Sequence, residues 1–464
     1  MGIAKGIRAT EGVSAAEVAM GTPANLEALA GMGVSVDAGP GDVVIAVNAS
    51  DDAVGAASLD AAEQGLVALE TAAGGSVEVA PSRTLVSAAA GQPGSNVALV
   101  SVPGEYATLE AHRALTSGMH VFLFSDHVSV EDEVELKTRG EAKDLLVMGP
   151  GCGTAMLGGI GLGFMNVVRR GPVGIVAAAG TGAQEAACLL EAAGTGVSQI
   201  IGVGGRDLSA DVGGIMFRQG MRMLAEDPET ETLLLVSKPP SPEVVQTLGE
   251  AVPPGVRVVA AFVGWEGGPA PFEVHATLED GAYAAAGGTP PPSPDMPATP
   301  QWTAARGRHL LGLYSGGSLA HEALTILEPR MAVAGNVSHH PAPPGGHTVL
   351  DLGEEEYTRG RPHPMVDLTV RLDMLAQAEA DAGLGCVLLD VVLGHGSHPD
   401  PASELAPALA RLAERVAVVA HVCGTAGDPQ DARRQEAALR DAGVVVTASN
   451  AAAARLAMRA VLGD

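Results

Sequence analysis

The stretch that most constrains what this chain can fold into is GPVGIVAAAGTGAQEAACLLEAA, residues 171 to 193. Pro172 to Ala178 reads as a short apolar strand, Gly180, Thr181 and Gly182 as a tight turn, and Ala183 to Ala193 as a helix closed by Gly194. A strand that passes through a glycine turn into a helix aims several free backbone N–H groups at one spot, and the helix dipole favours an anion there. Function is therefore sought at Gly180 to Gln184. An isolated GTG equally suits an ordinary βα turn, so the weight falls on whether the pattern recurs.

It does recur. Asn96 to Val102, Val121 to Phe124 and Leu145 to Met148 alternate with helical stretches and end in PGEY, SDHV and GPGCGT. Gln199 to Val203 runs into Gly204-Gly205-Arg206-Asp207, Leu233 to Ser237 into Lys238, and Val256 to Val263 into Gly264. Later strands, Leu310 to Tyr314, His347 to Leu352, Cys386 to Leu393, Val416 to Cys423 and Val444 to Ala448, repeat the pattern. Strands alternating with helices predict an α/β chain of several doubly wound parallel-sheet domains, Rossmann-like and flavodoxin-like, with ligands at the strand C-terminal ends.

The expected domains are a small N-terminal α/β region (1–94), a Rossmann-like CoA-binding-type domain (95–168), a flavodoxin-like ligase-type domain (169–286), a proline-rich linker (287–305) and a second flavodoxin-like domain (306–464). In the first region, Ser14 to Met20 reads as helical and Gly41 to Asn48 as a buried strand. A helix follows from Ala49-Ser50-Asp51-Asp52 to about Ala72, and the remainder to Gly94 reads as a loop or connector.

Composition narrows the partners. A formal charge of −27 without clustered Lys or Arg argues against nucleic acid. The N-terminus, MGIAKGIRATEG, lacks an apolar signal core, and no run approaches the roughly 18 apolar residues of a membrane span, so a cytoplasmic protein is expected. Four cysteines, Cys152, Cys188, Cys386 and Cys423, stand far apart with no CxxC pair, which indicates neither a metal site nor a disulfide framework. His339-His340 reads as exposed loop, not a metal pair. Ala-rich helices of low charge point towards a homo-oligomer.

The candidate site residues follow from the strand ends. Gly180, Thr181, Gly182 and Ala183 form one phosphate cradle, and Gly394, Gly396 and Ser397, after the most hydrophobic strand of the last domain, form a second. If the two face each other, their helix ends converge on one anion. Arg206 with Asp207, and Arg359, Arg361 and His363, are candidates for binding a carboxylate and moving a proton. Arg206 equally suits a salt bridge to Asp207 or Asp211, and His363 a rigid loop between prolines. His395 is either a base at the second cradle or a cap. Gly316 and Gly317, with Cys152, Gly153 and Thr154, are candidate substrate contacts, although the glycine loop offers Cys152 no evident base.

The same residues carry a resemblance. SVPGEYA, FSDHVSVEDEVELK, LVMGPGCGTAM, VGIVAAAGTGAQEA and IIGVGGRD, in that order, resemble the α subunit of succinyl-CoA synthetase. GLYSGGSLAHEA, VLDLGEEE, VLLDVVLGHGSHPD and AHVCGTAGDP are similar to the carboxy domain of its β subunit. Both halves in one chain, with MGTPANLEAL near the front and YTRGRPHPMVD near the middle, resemble the FdrA proteins over almost the whole length. The departures are an absent ATP-grasp domain, an absent GHAGA phosphohistidine loop (Ala261 to Thr277 reads AFVGWEGGPAPFEVHAT) and no clean GxTGxxG loop for the CoA nucleotide. From the resemblance, three readings stay open. The first is a carbamoyl or acyl phosphate transferase subunit acting on a small amide or ureido acid such as oxamate or oxalurate, as in ureide catabolism. The second is an ADP-forming acyl-CoA synthetase core that needs a separate ATP-grasp partner, and the third a metabolite-binding scaffold. Phosphate or carbamoyl phosphate is expected as substrate, CoA as a possible ligand, no tightly bound cofactor, and further subunits as possible partners.

Overall fold

A computed structural model of the protein describes residues 2–463 apart from 9, 32, 40, 74–81, 253–254 and 338–345. His339-His340 lies outside the described residues. The chain forms two compact units: Met1–Arg83 with Thr358–Pro362, and Thr84–Tyr357 with His363–Asp464.

In the first unit, strands β1 (Val13–Met20) and β2 (Val43–Ala49) pair antiparallel, with Ala16 opposite Val47 and Val18 opposite Ile45. Helices Gly2–Arg8, Pro23–Gly31 and Asp52–Ala73 accompany them. Ser14 to Met20 is thus strand, not the expected helix. Pairing delivers every second residue to a small cluster around Ile7, Ala16 and Ala62, against which Val18, Ile45 and Val47 pack, and this tertiary gain overrides the helix preference of alanine. With one neighbour only, β2 stays largely half-exposed instead of buried.

The second unit holds three sheets. Helix Leu85–Gly91, capped by Thr84, occupies part of the expected connector. Strands β3 (Val97–Val100), β4 (His120–Leu123) and β5 (Val147–Met148) then form a parallel sheet. A hairpin of β6 (Thr154–Leu157) and β7 (Ile160–Gly163) follows. It joins the next sheet through Met156 opposite Ile200, so that sheet begins well before the expected boundary at 169. Its other strands are β8 (Arg170–Ala177), β9 (Val197–Gly202), β10 (Thr232–Ser237), β11 (Arg257–Phe262) and β12 (Glu273–His275), in the order β12-β11-β10-β8-β9-β6-β7. The last sheet is parallel throughout, ordered β14-β15-β13-β16-β17-β18, from β13 (His309–Tyr314), β14 (Val333–Ala334), β15 (His347–Asp351), β16 (Leu384–Val392), β17 (Ala417–Cys423) and β18 (Val445–Thr447). All nine residues of β16 are buried, as a central parallel strand covered on both faces requires.

One apolar core runs from the seven-stranded sheet into the six-stranded one through a layer of helices. Ala183, Ala186 and Leu190 of helix Gly180–Ala192 share it with Leu319, Ala320 and Ala323 of helix Gly317–Leu327 and with Leu456 and Ala457 of helix Asn450–Leu462. The small side chains let the helices approach closely. The proline-rich stretch is not a free linker: Trp302 is buried in this core, and the Arg459 guanidinium donates to the Pro294 carbonyl.

Candidate functional site

Helix Gly180–Ala192 begins at Gly180 itself, directly after β8, and carries no side-chain cap. Helix Gly317–Leu327 begins directly after β13, also without a side-chain cap. A methyl group added at Gly182 would lie 3.1 Å from Ala179 Cβ and 3.3 Å from Ser318 Cβ, and one at Gly316 would lie 3.0 Å from the Thr181 side chain. The two N-termini therefore meet, at a separation where a larger residue at either glycine would force its neighbours to shift. The Gly180, Thr181, Gly182, Gly317 and Ser318 amides have no acceptor within their helices, whereas the Leu319 N–H goes to Gly316 O at 3.0 Å, and both positive dipole ends face one cleft of about 370 Å³.

The turn into the second helix is fixed from below. Buried Asp390 accepts the Ser315 N–H and hydroxyl at 2.8 and 3.0 Å and the Gly316 N–H at 2.8 Å, and is itself paired with buried Arg371 at 2.7 Å. Gly317 lets two charges close over the helix start: a methyl there would lie 2.5 Å from Asp351 Oδ2 and 3.3 Å from Lys238 Nζ. Burial pushes the Asp351 carboxyl up to about 6, against the opposing pull of the Gly353 N–H it accepts at 2.8 Å and of Lys238. Burial holds His363 below its usual value, with Asp390 acting in the other direction. Its Nδ1 accepts the Met365 N–H at 3.3 Å, which leaves the proton of the neutral ring on Nε2, next to Gly353.

Among the expected site residues, Gly180, Thr181, Cys152, Gly153, Thr154, Gly317 and His363 line this cleft. Gly182, Ala183 and Gly316 support it: Gly182 and Gly316 make the close approach, and Ala183 donates its N–H to Ala179 O within the helix. Cys152 is buried and its thiol is pushed up to about 11, so no thiolate nucleophile forms near neutral pH.

The expected second cradle is a correction. Gly394, Gly396 and Ser397 do not line the cleft, because their turn docks on the segment after β7. Gly394 N–H goes to Gln430 Oε1 at 3.1 Å, His395 N–H to Met165 O at 2.8 Å and Ser397 N–H to Gly394 O. A methyl at Gly396 would meet the Phe164 ring at 2.9 Å. His395 is exposed, pairs with Met165 through its backbone and does not line the cleft. The helix that follows starts at Pro401, so no dipole end stands at Gly394.

Arg206 and Asp207 do not line the cleft either. The Arg206 guanidinium donates to Glu133 Oε2 at 2.9 Å and to Val128 O at 2.8 Å, a partner that neither Asp207 nor Asp211 provides. Asp207 is fully buried; it accepts from Lys137 Nζ at 2.7 Å and from the Met216 and Phe217 amides, fixing the start of helix Ile215–Glu226. Arg359 and Arg361 fall in the first compact unit and His363 in the second, and neither arginine is among the residues that line the cleft. His275 sits on β12 beside Glu273 at 2.9 Å and does not line the cleft.

Comparison with known proteins agrees with this architecture. A family model described as CoA-ligase matches residues 313–460, one described as CoA binding domain matches 169–263, and one described as AllF, heavy metal-associated domain, matches 1–81. The CoA-binding match falls one domain further along the chain than the expected 95–168. The chain is 36% identical over 95% of its length to "Uncharacterized protein YahF" of Escherichia coli K12, covering 91% of that protein. It is 32% identical over 35% of its length to the succinate–CoA ligase [ADP-forming] α subunit of Aquifex aeolicus, spanning about half of it, 54%. A solved structure, the apo dinucleotide-forming acetyl-coenzyme A synthetase 1 of Ca. Korarchaeum cryptofilum, aligns at 14% identity over 79% of this chain and 82% of that one. Its TM-score of 0.30 is too low to carry an argument. The fold is that of the succinyl-CoA synthetase-like acyl-CoA ligases. Within that class, the chain belongs to the FdrA-like family.

The heavy-metal description does not fit the donor set. Residues 1–83 contain neither Cys nor His, the soft and borderline ligands such a metal takes. Among the described residues no group of three or more His, Cys, Asp or Glu is placed to hold a metal, and no helix is long and apolar enough to cross a membrane.

Proposed function

We propose that the protein is the core of an acyl-CoA ligase, handling an acyl phosphate and a CoA thioester, with any nucleotide step carried by a separate ATP-grasp subunit. The observation that carries this reading is the meeting of two uncapped helix N-termini beside Lys238 in one cleft. In it, the first-turn amides and Lys238 hold the phosphoryl oxygens, where developing negative charge is stabilised without reorganisation. Asp351 accepts a proton near neutral pH, and the His363 Nε2–H donates to an oxygen of the reacting group. CoA, when bound, supplies the thiol that takes the acyl group as phosphate leaves. Two of the matched family models are described as CoA-ligase and CoA binding domain, and the Aquifex aeolicus relative is a succinate–CoA ligase subunit by name, which favours this reading over carbamoyl transfer.

The test is calorimetry with sulfate, acetyl phosphate and CoA. Sulfate and acetyl phosphate should bind to the intact chain and weaken about tenfold in Lys238→Ala, as a charge-assisted contact is lost. Failure of both anions to bind, or an unchanged affinity in the variant, would overturn the anion site. Absence of CoA binding would overturn the ligase reading.

A further inference from the structure

Glu185 of helix Gly180–Ala192 and His421 of β17 are both buried, and they meet in the layer between the two larger sheets. His421 Nε2 lies 2.7 Å from Glu185 Oε2, and His421 Nδ1 lies 3.3 Å from the Thr447 carbonyl oxygen. A carbonyl oxygen and an ionised carboxylate only accept, so a ring satisfied at both nitrogens carries both protons. The other carboxylate oxygen, Glu185 Oε1, accepts the Asn450 N–H at 3.3 Å. Burial alone would lower the imidazole, but the charge and hydrogen bond of Glu185, with the Thr447 carbonyl and Glu322, outweigh it and hold His421 above its usual value.

The pair is tied to both helices that form the cleft. Asn450 Nδ2 donates to Leu319 O at 2.9 Å and to Glu322 Oε2 at 2.8 Å, both on helix Gly317–Leu327, while its N–H holds Glu185 of helix Gly180–Ala192. Glu322 Oε1 also accepts the Leu278 N–H at 2.6 Å, at the start of helix Leu278–Ala285. Burial first and Glu185 second push the Glu322 carboxyl up to about 7. From the same helix as Leu278, Glu279 accepts from Ser449 and Arg455, and Tyr283 is held protonated chiefly by burial. The Cys188 and Cys423 thiols hydrogen-bond to each other beside Glu185, and Asp428 acts on Cys188 from the loop after β17. Without its second proton, His421 would leave Glu185 a buried carboxylate with neutral donors only among the described residues, the Asn450 N–H and the Cys423 thiol. An uncompensated buried charge of that kind is costly, and structure gives way around it.

We propose that the Glu185–His421 pair is a proton-operated latch behind the cleft: with both ring nitrogens protonated it holds the two helix N-termini in the geometry that grips an anion, and loss of one proton loosens them. This rests on the anion site of the proposed function and adds its regulation. By linkage, an anion in the cleft and the second proton on His421 favour each other. A histidine raised on folding contributes stability that is complete below about pH 6.5 and is lost as pH rises through its folded value, so anion binding weakens towards alkaline pH.

Two measurements on the full chain test this. Nitrogen NMR with labelled histidine should show both His421 nitrogens protonated near pH 6.5 and one proton lost before about pH 9.5. Calorimetry with sulfate, whose charge is constant over that range, is run in an Asp351→Asn background so that the titration of Asp351 drops out. The affinity should fall at least about fivefold between those pH values. In His421→Gln, whose neutral amide still donates to Glu185, or in His421→Asn should the first fail to fold, the fall should stay within about twofold. A ring with a bare nitrogen near pH 6.5, a ring doubly protonated up to pH 9.5, or an equal fall in affinity in the folded variant would each overturn the latch and leave the anion site standing. Failure to bind sulfate at any pH would overturn the anion site, and the latch with it.

Discussion

Asp351 closes β15 at 3% exposure, with its carboxyl raised from 3.8 to about 6 chiefly by burial. A carboxyl raised on folding binds its proton more tightly in the native state. Its contribution is therefore complete below about pH 4 and is lost as pH rises through about 6. The loss amounts to about 3 kcal/mol. Asp351→Asn keeps an oxygen for the Gly353 N–H and removes the ionisation. The variant should melt a few degrees above the parent at pH 7.5 and together with it near pH 4. A gap of the same size at both pH values would show that burial is not the cause. Neither Asp351 nor Lys238 is signalled in the sequence: a lone charge at a strand end has no spacing pattern, and their approach depends on the bare backbone of Gly317, in a different segment. Thr181 was legible because its glycine turn follows an apolar strand.

At the level of elements, two helix starts have to touch. The contact of Gly316 with Thr181 is tight enough that Gly316→Ala should destabilise by about 1–3 kcal/mol through overpacking. Placed on Thr181→Gly, the same substitution should cost at least 0.5 kcal/mol less, a coupling visible in a urea double-mutant cycle. Additive costs would mean that the helices can separate freely. The alternation of strands and helices, and with it the parallel sheets, could be read from periodicity. Which glycine turns would meet could not. Gly180 to Gly182 and Gly394 to Ser397 look alike locally, yet the amides of the second are taken up by Gln430 and by Met165, a residue over two hundred positions away. Ser14 to Met20 failed for a related reason: an alanine-rich run of seven residues fits either period, and the choice was made by β2, a partner thirty residues on.

Across the second unit, the six-stranded sheet grips the segment between β7 and β8. Buried Asp428 takes three donors, from Asn166, Val167 and Thr425, while the Thr425 hydroxyl donates to Val167 O at 2.6 Å. Asp428→Ala strands the buried Asn166 and Thr425 donors and the half-buried Val167 N–H at once and should cost about 3–5 kcal/mol. It should not, however, divide the unfolding transition. The apolar core passes uninterrupted from one sheet to the other through the Ala-rich helices, so the polar clamp is laid over a contact that already couples them. Calorimetric melting of Asp428→Ala should therefore give one peak at lower temperature for the second unit. Two resolved peaks from that unit would mean that Asp428, and not the shared helix layer, joins the sheets. Because Asp428 also fixes Asn166 and through it Gln184, which lines the cleft, the same variant should weaken sulfate binding there. That effect appears in binding, measured well below the melting temperature, and separates positioning of the cleft from stability of the fold.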